Sequence, residues 1–185
     1  GYPDELLAVA EAIENSGREM IYSLSPGGSN YFPDLPYYKR ANMLRITRDI
    51  WDRQDDIDKG FDAWKIYEGI AYPGFWPDLD MIPFGKLQLM SPAEYNSIEQ
   101  NVALAGLGTT RTARFSRPQM RTFITQRSLS ASPLFMGGDL PTLDDYSLGL
   151  ITDKHMLECN QNGVCGVNVY EKDGVEIWMT QQVDT

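Results

Sequence analysis

The chain has 185 residues, 42% of them hydrophobic and 11% aromatic, and 16 basic against 26 acidic side chains leave a net charge of −10. That apolar share supports a folded domain with one sizeable core and excludes a low-complexity, disordered chain. The acidic balance argues against a nucleic-acid surface, which needs clustered Lys and Arg, and no apolar run reaches the roughly 18–20 residues of a membrane span.

The opening Gly-Tyr-Pro-Asp-Glu has no basic segment followed by an apolar one, so no signal peptide is read there. Residues 4–16 repeat apolar side chains at helical spacing, with Asp4 placed to cap the start and Gly17 to end it. Residues 19–24 read as a short buried strand, broken by Ser25-Pro-Gly-Gly-Ser. A Tyr-rich loop through Pro33 and Pro36 leads to a second strand, Met43-Leu-Arg-Ile-Thr, closing at Arg48-Asp49. Residues 57–69 form an amphipathic helix with Ile57, Phe61, Trp64 and Ile66 on its apolar face. After the loop Tyr72-Pro-Gly-Phe-Trp-Pro-Asp, Leu79-Asp-Met-Ile reads as a third strand.

Ser91-Pro-Ala-Glu opens a helix as a capping box, and a further helix runs from about Arg117 to Leu129 behind Ser116 and Pro118. Pro133-Leu-Phe-Met is the fourth strand, followed by Gly137-Gly-Asp-Leu and a helix from about Leu143 to Ile151, with Asp139 placed to cap it. Beyond Asn160, residues 167–179 read as two strands around Lys172-Asp-Gly, the start of a separate β-hairpin module.

Helices alternating with short apolar strands predict a parallel sheet with helical crossovers. Four such strands are half of an eight-stranded barrel. Polar residues gather at the strands' C-terminal ends: Ser25; Arg45 and Asp49; Asp78 and Asp80; Asp139. In a (β/α)8 barrel those ends share one mouth, where substrates bind. A doubly wound sheet would also line a crevice there, but the glycine-rich nucleotide turn is missing.

Several chemistries are poorly supplied. Cys159, Cys165 and the single His155 do not make a zinc site of usual spacing, and the cysteines read as two reduced, partly buried thiols, with a short-loop disulfide as the alternative. His155 has no nucleophile motif near it. Asp52, Asp55, Asp56 and Asp58 read as a solvated acidic helix start rather than metal ligands. Asp49 is open to two readings, a helix cap ahead of Ile50-Trp-Asp or a catalytic carboxyl. Asp80 is open to two as well, a substrate-facing carboxylate at the mouth or a buried structural acceptor. Trp51, Phe61 and Trp64 read as core, whereas Trp76 and Tyr72, in a Gly/Pro loop, are better stacking platforms.

Four ordered segments carry a resemblance: Gly17-Arg-Glu-Met-Ile-Tyr-Ser-Leu-Ser-Pro-Gly, Leu44-Arg-Ile-Thr-Arg-Asp-Ile-Trp-Asp, Gly74-Phe-Trp-Pro-Asp-Leu-Asp-Met and Ser132-Pro-Leu-Phe-Met-Gly-Gly-Asp-Leu. They resemble glycoside hydrolase family 27, the α-galactosidases (melibiases) and α-N-acetylgalactosaminidases, in that family's order and spacing. The resemblance implies that residues 1–160 are the C-terminal half of a TIM (β/α)8 barrel, strands five to eight, and that 161–185 start a C-terminal β-sandwich. It implies a retaining glycosidase without a cofactor, with a carbohydrate substrate and a secreted or periplasmic setting. Asp49 matches the acid/base, Arg45 a sugar-hydroxyl ligand, and Asp80 and Met81 residues that hold and wall the sugar ring. Trp76 matches an aromatic of the same loop.

Two departures bear on specificity. Ser25 stands where many members carry a Glu that reads the sugar's 2-hydroxyl, and Trp76-Pro-Asp-Leu-Asp-Met replaces Trp-Asn-Asp-Pro-Asp-Met. The family's nucleophile, an Asp ending strand four, would precede residue 1. The resemblance therefore implies a fragment inactive alone, whose N-terminal half comes from an upstream segment or another chain. An acid/base must hold a proton at working pH, so burial or a neighbouring carboxylate is expected around Asp49, with Arg45 facing the sugar and Arg48 pointing away. Two alternatives stand beside this reading: a metal-dependent barrel enzyme using Asp49, Asp80 and Asp139, and a barrel that binds sugar without turnover.

Overall fold

Three short parallel strands organise the computed structural model, which describes residues 2–26, 31–88 and 110–181. β1 (Ser23–Leu24), β2 (Met43–Arg45) and β3 (Trp76–Asp78) lie side by side in that order. Met43, Leu44 and Arg45 stand opposite Trp76, Pro77 and Asp78. Parallel neighbours require crossovers. The first passes through a 3-10 turn (Phe32–Asp34) and α2 (Leu35–Tyr38), in the region read as loop; the second is α3 (Gln54–Tyr67). α1 (Pro3–Asn15) precedes β1.

The third strand is not where the sequence pattern put it. Asp80 takes a left-handed backbone, φ 70°, which divides the run in two. β3 lies just before it, in the stretch read as loop, and pairing resumes at Ile82 as a parallel bridge to Met136. The expected fourth strand contracts to that bridge. Successive parallel positions with helices between them are the architecture of part of a (β/α)8 barrel. β1 is shorter and less buried than expected, with Ile21 72% exposed, because it is an edge: among the described residues no strand pairs with its outer side.

Helix ends follow local chemistry. Tyr2, not Asp4, is the N-cap of α1; Pro3 takes the first turn, Asp4 and Glu5 favour the positive end of the dipole, and Gly17 (φ 65°) leaves the helix. α3 begins three residues earlier than its apolar pattern. Its inward face is Ile57, Gly60, Ala63, Trp64 and Tyr67, while Ile66 points outward at 59% exposure. α4 (Arg117–Leu129) opens on the expected cap, with Ser116 and Gln119 forming a reciprocal capping box. The Ser91-Pro-Ala-Glu helix lies outside the described residues.

β4 (Lys86–Leu87) and β5 (Arg111–Thr112) form an antiparallel pair that no sequence pattern announced. α5 (Asp145–Ile151) is capped by Asp144, whose carboxylate accepts from Ser147 N at 2.7 Å; Asp139 does not cap it. α6 (Lys154–Gln161) is capped by Asp153.

Two apolar clusters hold these layers together. Leu44, Ile46, Trp64, Tyr67, Phe75 and Leu79 join the sheet to α3; Ile50, Ile57, Ile82, Phe84, Phe123 and Ile124 join it to α4. The hairpin of β6 (Val167–Lys172) and β7 (Val175–Met179) turns at Asp173 and Gly174, both left-handed, as a two-residue hairpin turn prefers. It docks against α3 through Trp64 and Glu68. Trp64 Nε1 donates to Gly166 O at 2.8 Å, the Trp64 and Trp178 rings stack at 3.9 Å, and Glu68 accepts from Asn168 N. Cys159 and Cys165 are free and partly buried, and burial pushes the Cys165 thiol up to about 11. Among the described residues no helix is long and apolar enough to cross a membrane.

Candidate active site

The C-terminal ends of β2 and β3 bring together one guanidinium and two carboxylates. Arg45 is the last residue of β2, opposite Asp78. Its Nη2 lies 3.0 Å from Asp49 Oδ1, and its Nη1 lies 3.6 Å from Asp80 Oδ1. Arg45 Nε is buried with no hydrogen-bond partner. Arg48 is exposed and makes no ion pair among the described residues.

Asp49 differs from expectation in one respect: its side chain is 66% exposed rather than buried. It stands on the turn between β2 and α3, where among the described residues Arg45 is its ion-pair partner. The capping alternative fails, because the N-cap position of α3 is Arg53 and the carboxylate reaching back to Trp51 N, at 3.1 Å, is that of Asp56.

Asp80 is held from several sides. Its Oδ2 accepts from Ile50 N at 2.8 Å, and its own N–H donates to Asp78 Oδ1 at 2.7 Å. A left-handed backbone costs an L-residue roughly 1–2 kcal/mol, least for Asp and Asn. The bend turns Asp80 toward Arg45 and Ile50. Asp78 beneath it is buried, and burial pushes its carboxyl above the ordinary range against the bond from Asp80 N and the charges of Arg127 and Arg45. Met81, next in the chain, packs on bare backbone: a Cβ at Gly137 would overlap its side chain, and one at Gly138 would overlap the Phe84 carbonyl.

Ser25 is exposed one residue beyond β1. Continuing the Ser23–Met43 register puts it level with Arg45 on the same face. Trp76 is not brought to this group. It opens β3 opposite Met43, two residues below the Arg45–Asp78 pair, and its ring edge lies against Gly163. Tyr72 sits before that strand, its hydroxyl donating to Lys39 O. Strand direction separates both aromatics from the mouth, which loop composition alone did not reveal. Asp139 is also elsewhere, its N–H bonded to Lys86 O at 2.9 Å. Among the described residues no group of three or more Asp, Glu, His or Cys side chains is placed to hold a metal ion.

Of the four acids at the start of α3, Asp55 and Asp58 are solvated as read, and Asp52 and Asp56 are not. Asp56 is buried and paired with Arg53, and buried Asp52 is gripped by Arg111 at 2.6 and 2.8 Å and by Arg114 N at 2.6 Å. This clamp ties β5 to the loop three residues past Asp49. Burial alone would raise the Asp52 carboxyl; the Arg111 and Arg114 bonds overcome it and hold it below the ordinary carboxylate range. A depressed carboxyl stabilises the fold fully above its unfolded value and loses that contribution as pH falls through the folded one. Asp52→Asn should therefore cost about 2 kcal/mol near neutrality. The gap in urea midpoint between wild type and variant should shrink as pH drops below the ordinary carboxylate range. A gap constant across that range would contradict the clamp.

Sequence reasoning also passed over Arg127 and Ser132. One signal for the first was available, a charge on the helical stripe Met120, Phe123, Ile124, Arg127, all of them buried.

A guanidinium bridging an exposed and a half-enclosed carboxylate offers donors and acceptors suited to sugar hydroxyls, with one carboxyl free to exchange protons. Comparison with known proteins agrees in kind. No family model matches the chain. The chain is 26% identical to human α-N-acetylgalactosaminidase, over 97% of its own length and 39% of that protein. It is 27% identical to α-galactosidase 2 of Arabidopsis thaliana, over 92% of its length and 37% of the relative. It also superposes on a family 27 β-L-arabinopyranosidase of Geobacillus stearothermophilus, crystallised as an Asp-to-Ala variant with arabinose. There the TM-score is 0.84 and the identity 31%, covering 99% of this chain and 40% of that one. The resemblance to glycoside hydrolase family 27 thus holds in sequence and in fold, and the chain spans about two-fifths of the length of the relatives it matches.

Proposed function

We propose that residues 1–160 are strands five to eight of the catalytic barrel of a family 27 retaining glycosidase, and that 161–185 open its β-sandwich. The substrate is a terminal galactose-type sugar. The observation that supports this most is Arg45 bridging Asp49 and Asp80 at the C-terminal ends of neighbouring parallel strands.

Retention needs two carboxyl groups about 5–5.5 Å apart. In this reading Asp49 is one of them. It protonates the departing glycosidic oxygen as a nucleophilic carboxylate from outside residues 1–185 attacks the anomeric carbon. It then takes a proton from the water that releases the sugar. The exposure of Asp49 suits that exchange, since the leaving group and the water both arrive from the mouth. Arg45 and Asp80 bind ring hydroxyls, Met81 walls the ring, and Ser25 lies near the 2-position. The exposed Arg48 and the distant Trp76 take no part. The same reading puts the protein in a secreted or periplasmic setting.

Galactose, N-acetylgalactosamine and L-arabinopyranose share the ring configuration that the relatives' names imply, and differ at the 2-substituent or in having a C6 group. A small Ser25 is compatible with all three. The test is hydrolysis of α-galactosides, α-N-acetylgalactosaminides and β-L-arabinopyranosides by a chain extended N-terminally through the whole barrel. Turnover of at least one class with retained anomeric configuration is expected. A well-folded extended chain that turns over none of them, yet binds the free sugars, would replace this reading with a sugar-binding barrel.

A further inference from the structure

We infer that Arg127, on α4, is a positioning residue for Asp80: its buried guanidinium fixes the left-handed bend Asp78-Leu79-Asp80 that turns the Asp80 carboxylate toward Arg45. The inference rests on the reading of Asp80 as a sugar ligand.

Arg127 is 1% exposed, and its guanidinium lies 3.4 Å over the Phe123 ring. Among the described residues it forms no ion pair. Its Nη2 donates to Leu79 O at 2.6 Å, its Nη1 to Gln126 Oε1 at 3.1 Å, and its Nε has no partner. A buried cation without a direct counter-ion is an expensive choice for a helix face that otherwise carries Met120, Phe123 and Ile124, where Leu or Met would pack without that penalty. What the charge meets is the bend. Leu79 is held at its carbonyl by Arg127 and at its N–H by Ser132 Oγ, 2.9 Å away. Asp80 N–H is held by Asp78 Oδ1. Every polar group of the peptide units flanking the left-handed residue on its N-terminal side is therefore bonded.

The groups facing Asp78 are Asp80 of its own segment, Arg45 of β2 and Arg127 of α4. With Arg127 neutralised, one of two cations near the buried Asp78 is lost, and the ionised form that accepts from Asp80 N–H is disfavoured. The bend then relaxes, and Asp80 loses its aim at Arg45 and Ile50 together. The burial of Arg127 keeps it from any substrate, so its effect passes through Asp80 alone.

The experiment uses the complete protein, with Arg127→Met, Arg127→Lys and Ser132→Ala beside wild type. Arg127→Met keeps the volume and removes the charge; it should raise KM for the best glycoside, and the inhibition constant of the free sugar, about tenfold or more, with kcat changed far less. Arg127→Lys restores a cation and should recover most of that loss. Ser132→Ala, a smaller perturbation than Arg127→Met, should shift KM in the same direction. A folded Arg127→Met with wild-type KM overturns the inference, as does an Arg127→Lys no better than Arg127→Met. If Arg127→Met does not fold, a wild-type KM in Ser132→Ala overturns it instead. Wild type separates the two layers. Absence of turnover and of sugar binding there removes the glycosidase reading and this inference together, whereas an active wild type with an indifferent Arg127→Met removes this one alone.

Discussion

Asp49→Ala in the complete protein should lower turnover of glycosides with poor leaving groups by about 10²–10⁴-fold, the range general acid–base catalysis contributes. The loss should be uneven, and that unevenness is the diagnostic. A leaving group acidic enough to depart without a proton, such as dinitrophenolate, should lose little in the first step. Its glycosyl–enzyme intermediate should then accumulate, because water lacks its base. A small anionic nucleophile such as azide needs no base, and should restore turnover by entering the space the carboxylate vacated. Asp49 is exposed and, among the described residues, forms an ion pair with Arg45 alone, so alanine there removes little packing, and the fold should be retained. Equal loss on good and poor leaving groups, without azide rescue, would mean that Asp49 binds rather than transfers protons. Full activity in the variant would end the assignment.

The second large effect is structural. Trp64→Ala should destabilise the protein by about 3–5 kcal/mol, as large-to-small substitutions of buried aromatics do. Trp64 serves two bodies at once. Its ring belongs to the cluster of Leu44, Tyr67 and Phe75 between sheet and α3, and its outer face stacks on Trp178 of the hairpin. Its Nε1 donates to Gly166 O, and a Cβ at Gly166 would crowd the same indole, so the backbone there is bare where the ring needs it to be. Denaturant unfolding measures the loss. Amide exchange should locate it, with β6 and β7 opening before β2 and β3. A variant within about 1 kcal/mol of wild type would fall below that range and contradict the account of Trp64 as the joint between sheet and hairpin.

How much of this was legible in advance depends on the range of the interaction. α4 begins behind Ser116 and Pro118 and ends at Leu129, as its sequence announces, because a capping box and an apolar stripe are satisfied within a few residues. Lys172-Asp-Gly gave the hairpin for the same reason. The alternation of strand and helix, and the gathering of Arg45, Asp49 and Asp80 at strand ends, followed from the period of the apolar residues and the rule that parallel strands share a direction.

Partners distant in the chain decided the rest. Asp80 lies inside a run that reads as one strand, and its left-handed backbone is held partly by Ser132 and Arg127, some fifty residues away. Asp52 looks like one acid among four, and only Arg111, on a strand pair that no local pattern encodes, makes it a buried clamp. Trp76 sits in a loop-like stretch, yet its pairing with Met43 places it below the mouth. The sequence by itself determined α1, α3, α4, α5 and the β6–β7 hairpin, since propensity, capping and periodicity act over a turn or two. Only the tertiary structure decided which carboxylates are exposed, clamped or aimed, because burial and ion pairing belong to residues brought together from separate parts of the chain.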